Sequence, residues 1–521
     1  MHEKMPLNNR HQLLFAILFF INLTYLKSQF YNFPGDYNFS VLTEKKLAVK
    51  DSSIHSGIKP YIHFFNSKYA FAYDTNQLFK YITDDPALDA IFMKHFIRIE
   101  PKKENFKLRL DPILNLEIGK DFSDTLNRKF YTNTRGLIGS GYIGNKFYFE
   151  TMFAENQSVF PDYISASAKN SLVVPGQGRW KTFKSVGYDY AFSSGFFSVQ
   201  TLKNLNIQVG HGKHKIGNGY RSLLLSDNSF NYPYARISQQ WLKGRISYSN
   251  IYSVLMNLDS ASKFSAPNTE RLFQKKAASF QYLSLNLSKF FNLSFFQGMI
   301  WQAGNERNKQ DLTWQYFNPV IFSNLPIYNL NDKNNILIGT DFKLKITNKL
   351  NLYGQFMADD LSNTKKYGNA IGFQLGLNYF DFLGVKNLFV QAEYNDVNEN
   401  SYVNTLGALT NQSYSNYNQN LAYTNGSGKE IIFIGDYKWK RFFMNIKYNN
   451  HNLIQQGETV FYNQLINAKI GYLINPSFNF NIHIGVNHRS QTFKYFSGLN
   501  NETNFIYLGI KTSIYNLYYD F

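Results

Sequence analysis

The chain of 521 residues contains no cysteine. That excludes a disulfide framework, thiolate metal sites and the lipidated cysteine of a bacterial lipoprotein. Long apolar runs are also missing. The only candidate, Leu13 to Leu23, is interrupted by Asn22 and falls well short of the roughly 20 residues a spanning helix needs. Acidic residues are scarce, 36 Asp and Glu against 54 Lys and Arg, for a formal net charge of +18. Such an excess raises nucleic acid as a partner, but the basic residues are spread along strand-like segments instead of forming one block, and export argues against it. The surplus reads as a solvated or lumen-facing positive surface; the sharper alternative is attraction of anionic sugars or lipopolysaccharide.

Catalytic signatures are lacking too. There is no Gly-x-Ser-x-Gly elbow, no Ser-His-Asp grouping can be nominated from spacing, and "GHGKHKIGNGYR" has neither a following helix nor the Gly-Lys-Ser/Thr ending of a phosphate loop. His211 and His214 have no third ligand nearby, so no metal, cofactor or catalytic residue is assigned. Outer-membrane hydrolases built on isolated residues escape a spacing argument, and an enzyme is the disfavoured reading.

What the sequence does have is aromatic residues, 49 Phe, 38 Tyr and 5 Trp, in a chain whose mean hydropathy is only −0.35. Apolar residues must therefore be diluted one by one with polar ones, which is a β pattern with one wet face. The first residues carry Lys4, Arg10 and His11, then the apolar run, then Lys27-Ser28-Gln29, the layout of a secretory signal peptide over residues 1–28; the alternative is a membrane anchor.

From Phe106 onward, alternating segments pair as hairpins. "ILIGTDFKLKI" places Ile336, Ile338, Phe342, Leu344 and Ile346 on one face and Asp341, Lys343 and Lys345 on the other; "LNLYGQFMAD" returns after Thr347 to Lys349. A soluble sandwich or propeller fits such hairpins, as does an outer-membrane barrel with lipid on the apolar face. Short turns alternate with long polar connections such as Asp359 to Asn369, Asn395 to Lys429 and Asn449 to Tyr462, and aromatics crowd the strand ends. That asymmetry selects the barrel. The region 106–521 holds roughly 16 to 18 spanning strands, with 18 preferred. The expected fold is thus all-β, a large antiparallel outer-membrane barrel with a small helical N-terminal periplasmic element.

Residues 29–105 alternate little and read as a periplasmic or plug segment. "TDDPALDAIFMKHFI" predicts a helix capped by Asp84 or Asp85, with Pro86 in the first turn and Leu88, Ile91, Phe92, His95 and Phe96 on one stripe. The ending "YLGIKTSIYNLYYDF" reads as the last barrel strand, with Tyr515, Leu517, Tyr519 and Phe521 on one side, a bulge near Ile514 and Tyr515, and a terminal aromatic suited to the barrel-assembly machinery.

The alternation stops at "GNGYRSLLLSDNSFNYPYARI", Gly217 to Ile237. A loop folded into a wide barrel needs apolar residues to pack, here Leu223 to Leu225, and charges that pair, here Arg221 with Asp227. An inward plug loop is one reading. A ligand site formed by Arg221, Asp227, Tyr232 and Tyr234 is another, and an ordinary exposed loop is the third. Arg179 and Trp180 in "GQGRWK" join the same feature or mark a strand end.

Those stretches, with "GYDYAFSSGFFS" and the ending "IKTSIYNLYYDF", resemble the gliding-motility outer-membrane proteins of Bacteroidota, the RemB-like branch of the capsule-assembly (Wzi-like) barrel family, over most of the mature chain. The resemblance implies an 18-stranded barrel with periplasmic helices and a largely occluded lumen, surface polysaccharide as partner, movement over surfaces as role, and no catalysis. It carries no residue roles. A non-enzymatic barrel supporting gliding or adhesion is therefore expected. The rivals are a capsule-assembly protein and a porin for anionic solutes whose cationic lumen contains Lys343, Lys345, Lys447 and Lys469. Expected partners are membrane lipid, lipopolysaccharide, surface polysaccharide and the assembly machinery.

Overall fold

Period-two alternation becomes a wall with two opposite faces. In the computed structural model, which describes residues 31–32, 41, 44–45, 54–63, 88, 91–101 and, from 105 onward, all but 145, 259–272, 303–313, 324–333, 360–369, 404–411 and 514, eighteen antiparallel strands close into one barrel. They are β1 (Phe106–Asp121), β2 (Phe130–Ile143), β3 (Phe147–Val159), β4 (Gly187–Leu202), β5 (Leu205–Gly212), β6 (Tyr232–Trp241), β7 (Ile246–Asn257), β8 (Gln274–Asn286) and β9 (Phe291–Gln302). The remainder are β10 (Asn335–Lys345), β11 (Leu350–Asp359), β12 (Ala370–Phe380), β13 (Leu388–Val397), β14 (Gly428–Trp439), β15 (Phe442–Gln455), β16 (Glu458–Asn475), β17 (Phe480–Phe493) and β18 (Asn501–Lys511). Closure comes from β18 on β1, in register from Phe505 opposite Asp121 to Lys511 opposite Asn115. Where β18 stops, the short strand Ile97–Ile99 takes over along β1, with Ile97 opposite Leu110.

Along much of the wall, apolar residues point out and amides point in, although several strands also turn apolar residues into the lumen. In β12, Ile371, Phe373 and Leu375 are exposed while Gly372, Gln374 and Asn378 are buried inside. A wall that is oily outside and amide-rich inside is stable only with lipid around it, and closing the sheet removes every unpaired edge. The connections divide the same way. At one end lie the turns 144–146, 203–204, 242–245, 287–290, 346–349, 381–387, 440–441 and 476–479; at the other lie the long connections 160–186, 213–231, 258–273, 303–334 and 398–427, together with the shorter 122–129, 360–369, 456–457 and 494–500. This is the short periplasmic and long extracellular asymmetry of an outer-membrane barrel.

Three expectations need correction. Residues Asn449 to Tyr462 are not a polar loop: β15 and β16 run on through them and join at Gln456-Gly457, both at positive φ (51° and 78°), as a two-residue hairpin turn requires. The chain end is not the last strand either. β18 ends at Lys511, the Thr512 amide donates to the Leu114 carbonyl while the Leu114 amide donates to the Thr512 hydroxyl oxygen, both at 2.9 Å, and the segment after it turns inward, where Tyr515 stacks on Phe192 with ring centroids 3.7 Å apart. The change of phase near Tyr515 is therefore the exit from the wall and not a bulge. Of the expected N-terminal helix, Leu88 and Ile91–Phe92 are helical, but the chain leaves that conformation by Met93 and is extended from Ile97. His95 does not continue the stripe because its Nδ1 lies 2.6 Å from an Asp111 carboxylate oxygen on β1. Asp84, Asp85, Pro86 and the leader 1–28 lie outside the described residues.

One helix with no counterpart among the expected elements, α1 (Asp162–Ser171), follows Pro161 in the extracellular connection 160–186 and ends at Leu172 with φ 63°. It buries Tyr163, Ile164 and Ala168 against Phe160, Tyr188 and Tyr190 and so caps one side of the mouth.

Candidate functional site

The site grows from the place where β5 leaves the wall at Gly212. Lys215 and Ile216 pair antiparallel with Lys59 and Ile58, so the extracellular connection 213–231 meets an N-terminal segment inside the barrel. Gly217 adopts φ 127°, and a Cβ there would lie 2.1 Å from the Gln355 side-chain amide, so glycine is required on both counts. The Ile216 amide donates to the Leu225 carbonyl at 2.8 Å and folds the leucine run back on itself.

Leu223, Leu224 and Leu225 are fully buried in a cluster with Ile251, Leu255, Phe280, Leu337 and Met357 of the wall. The connection 398–427 covers them from outside: the Tyr402 hydroxyl donates to the Leu223 carbonyl at 2.9 Å and that of Tyr414 to the Leu224 carbonyl at 2.7 Å. The barrel thus carries a hydrophobic core in its lumen.

Arg221 is 1% exposed and pairs with Glu430 of β14 at 2.8 Å and with Asp520 at 3.1 Å. The expected pairing with Asp227 is not made. Asp227 instead accepts the Tyr518 hydroxyl at 2.8 Å and the Asn516 amide at 2.9 Å, because the inward-turned tail lies between it and Arg221. Lys447 completes the network, 2.8 Å from Asp520. Burial pushes the Asp520 carboxyl up, but the Arg221 and Lys447 charges outweigh it and hold it well below the usual carboxylate range. The backbone amides of Tyr220 and Arg221 donate to Glu393 of β13 at 2.6 and 3.0 Å, which ties the loop to the wall beside the ion pairs.

From the periplasmic side, Glu44 accepts Lys343 of β10 at 2.7 Å, with Lys59 at 3.7 Å. Burial raises the Glu44 pKa, and the two lysines reverse the shift and bring it to about 2. His55 lies 2.8 Å from both Ser284 Oγ of β8 and the Gly244 carbonyl, and burial lowers its pKa to about 4.

Tyr232 and Tyr234 stand at the start of β6 facing inward, 1% and 6% exposed, with hydroxyls on His214 and Gln208. Tyr234, with Asp227 and Lys213, lines a small internal space of about 140 Å³. Arg179 and Trp180 are not part of this feature: Arg179 is exposed and lies over the Phe273 ring, while Trp180 donates to the Ala168 carbonyl of α1. His211 and His214 face different partners, Ser193 and Tyr232, and among the described residues no three His, Cys, Asp or Glu side chains gather as a metal site.

Sequence reasoning passed over Glu430, Glu393, Asp520 and Glu44. A signal for the first existed: on β14 the wet face carries Ile432 and Ile434, which pack on Tyr220 and Tyr518. Two spaces remain. One, of about 280 Å³, runs beside the tail and is lined by Lys447, Lys469, Lys511 and Asn467. The other, of about 440 Å³, is an open vestibule at the extracellular mouth between α1, β17 and Phe521.

No protein-family model matches the chain, and no curated protein matches it by sequence. Among solved structures it is similar to Wzi, an outer membrane protein involved in group 1 capsule assembly in Escherichia coli and a carbohydrate binding β-barrel, with 13% identity over 94% of this chain and 100% of that one and a TM-score of 0.55. It is also similar to OccK3 of Pseudomonas aeruginosa (11% identity, 77% of this chain, 94% of that one, TM-score 0.44) and to a BenF-like porin of Pseudomonas fluorescens Pf-5 (9%, 78%, 99%, 0.45). At such identities the likeness is one of fold, and it agrees with a location in the outer membrane.

Proposed function

We propose that this barrel is a non-enzymatic platform that holds surface polysaccharide at the outer face of the outer membrane and, through that attachment, supports adhesion or gliding over surfaces. One observation carries the reading: the lumen is filled by three parts of the same chain, the N-terminal segment, the connection 213–231 and the tail, locked by the Arg221–Glu430–Asp520 pairs. A barrel of this strand number without such filling encloses an aqueous channel. With it, the molecule offers a surface and not a hole. The carbohydrate binding of the Escherichia coli barrel supports the same choice of partner.

A second reading rests on the space beside the tail, whose Lys447, Lys469 and Lys511 suit an anionic solute. Passage through it would require the tail to move.

The test is colony spreading and retained surface polysaccharide in a strain lacking the gene, with the restored strain as control at matched growth rate. Loss of both, with rescue, is the expected result. Unchanged spreading removes the motility role, and unchanged polysaccharide removes the platform.

A further inference from the structure

Strands β7, β8 and β9 turn Ile251, Phe280 and Phe296 into the lumen core, so the adjacent Asn250, Gln281 and Gln297 point outward, towards the membrane. Asn250 stands opposite Gln281 and Gln281 opposite Gln297, which makes a row of three amides across the outside of the barrel. Bare amides facing hydrocarbon are costly. These three are nonetheless 6%, 1% and 0% exposed.

What covers them is the described part of the extracellular connection 303–334. Residues 314–323 lie on the outside of the wall, with the Tyr316 ring stacked on Trp301 of β9 at 4.3 Å. Tyr252 of β7 donates to the Phe317 carbonyl at 3.1 Å, Gln281 to the Asn318 carbonyl at 2.7 Å and Tyr248 of β7 to the Pro319 carbonyl, while the Phe322 amide donates to Gln297 at 2.8 Å. Trp301 is the second-last residue of β9 and Tyr248 the third of β7, so the segment descends from the extracellular rim towards the periplasmic turn 242–245.

Irregular backbone survives at membrane depth only where its polar groups are met. Here the wall meets three successive carbonyls, Pro319 has no N–H, the Val320 amide donates to the Asn318 side chain at 3.1 Å, and the Ser323 hydroxyl donates to the Val320 carbonyl at 2.7 Å. The side turned away from the wall is apolar, with Phe317 and Val320 46% and 58% exposed. No charged residue occurs from Leu312 to Asn331, whereas Glu306, Arg307, Lys309 and Asp311 precede that run and Asp332 and Lys333 follow it. The same outer surface continues into Ile237, opposite Asn250, and Val254, two positions beyond Tyr252, at 40% and 38% exposure.

We infer that residues 314–323 form a membrane-inserted strap, which docks on the outward row of amides and presents Phe317 and Val320 to lipid acyl chains. The strap fastens an extracellular connection to the bilayer. This inference is independent of the polysaccharide reading.

The experiment uses the full-length barrel, which has no cysteine of its own, carrying Val320→Cys labelled with bimane and reconstituted in phosphatidylcholine vesicles. Leu375→Cys on the lipid face of β12 and Gln456→Cys in the extracellular hairpin turn are the two references. Acyl chains brominated at mid-chain should quench the Val320 probe at least roughly half as strongly as the Leu375 probe, and iodide on both sides of the membrane should quench only the Gln456 probe. Gln281→Leu with Gln297→Leu removes the docking row and should move the Val320 probe from lipid to iodide quenching. Heat-modifiable migration in gels shows that each barrel is folded; should the double variant fail, Gln297→Leu alone takes its place. Iodide quenching of the Val320 probe without lipid quenching overturns the strap, and quenching by neither overturns lipid as its partner in favour of a second copy of the chain. Lipid quenching that persists without the amides overturns their role as the docking row.

Discussion

Arg221 and Asp520 stand 299 positions apart in the chain and meet at 3.1 Å inside the barrel. The guanidinium also donates to the Asp520 backbone carbonyl at 2.8 Å, so the plug loop grips the tail by side chain and main chain together. Removing one partner leaves the other charge buried. Arg221→Met is therefore expected to cost about 3–5 kcal/mol, and Arg221→Met with Asp520→Asn less than the sum of the two single changes. Urea midpoints of the heat-modifiable gel shift measure this; strictly additive effects would mean the pair does not couple.

The N-terminal segment and the plug loop are joined by backbone pairing at Ile58 and Ile216. Opposed residues of an antiparallel pair have Cα atoms about 4.5–5.5 Å apart, within the span of a disulfide. In a chain with no cysteine of its own, Ile58→Cys with Ile216→Cys should cross-link in intact cells and shift mobility on a non-reducing gel. Two thiols that both stay open to a maleimide would place the segment elsewhere.

Acid should loosen that docking. His55 has a docked pKa of about 4 against an ordinary 6.5, so the docked form binds fewer protons than the free one, and its stability falls as pH drops from about 6.5 towards 4. Glu44, held at about 2 against 4.5, contributes stability that is present above 4.5 and is lost on further acidification through about 2. Both signs agree. Hydrogen exchange in residues 54–63, corrected for intrinsic rate, should be faster at about pH 4 than at neutrality; equal protection at both pH values counts against the assignment.

Much of the wall could be read from alternation alone, because a lipid-facing strand must keep its period and Ile371, Phe373 and Leu375 leave no other choice. The plug loop also announced itself by breaking that period with three leucines that turn out fully buried. Its partners did not. Asp520 lies in a segment whose aromatic pattern imitates a strand, and nothing local distinguishes a Tyr that faces lipid from one that stacks on Phe192 across the lumen. Glu430 alternates as any wet-face residue does, and the inward Ile432 and Ile434 beside it signal a filled lumen without naming its charge partner. Which charge it meets is decided by strand order and shear, properties of the closed barrel and not of the segment. The hairpin turn Gln456-Gly457 was not legible because the strand ends that flank it carry polar residues on both faces and so lose the alternation.

The leucine run should act as a true core. A Cβ on Gly339 would come within 2.3 Å of the Leu224 side chain, so the loop packs directly on the wall. Leu224→Ala is expected to destabilise the barrel by about 2–5 kcal/mol and Gly339→Val to do so by overpacking. Urea midpoints for both variants check this, and a neutral Leu224→Ala would mean that the loop is not packed.

The most direct test of the account is ionic conductance of the purified full-length barrel in planar bilayers. A lumen closed by its own chain predicts no steady open-channel steps from the unchanged protein, and measurable steps once residues 213–231, which hold the N-terminal segment and the tail in place, are replaced by a short Gly-Ser turn. Steady wide-pore conductance from the unchanged protein would contradict the closed platform and make the barrel a channel.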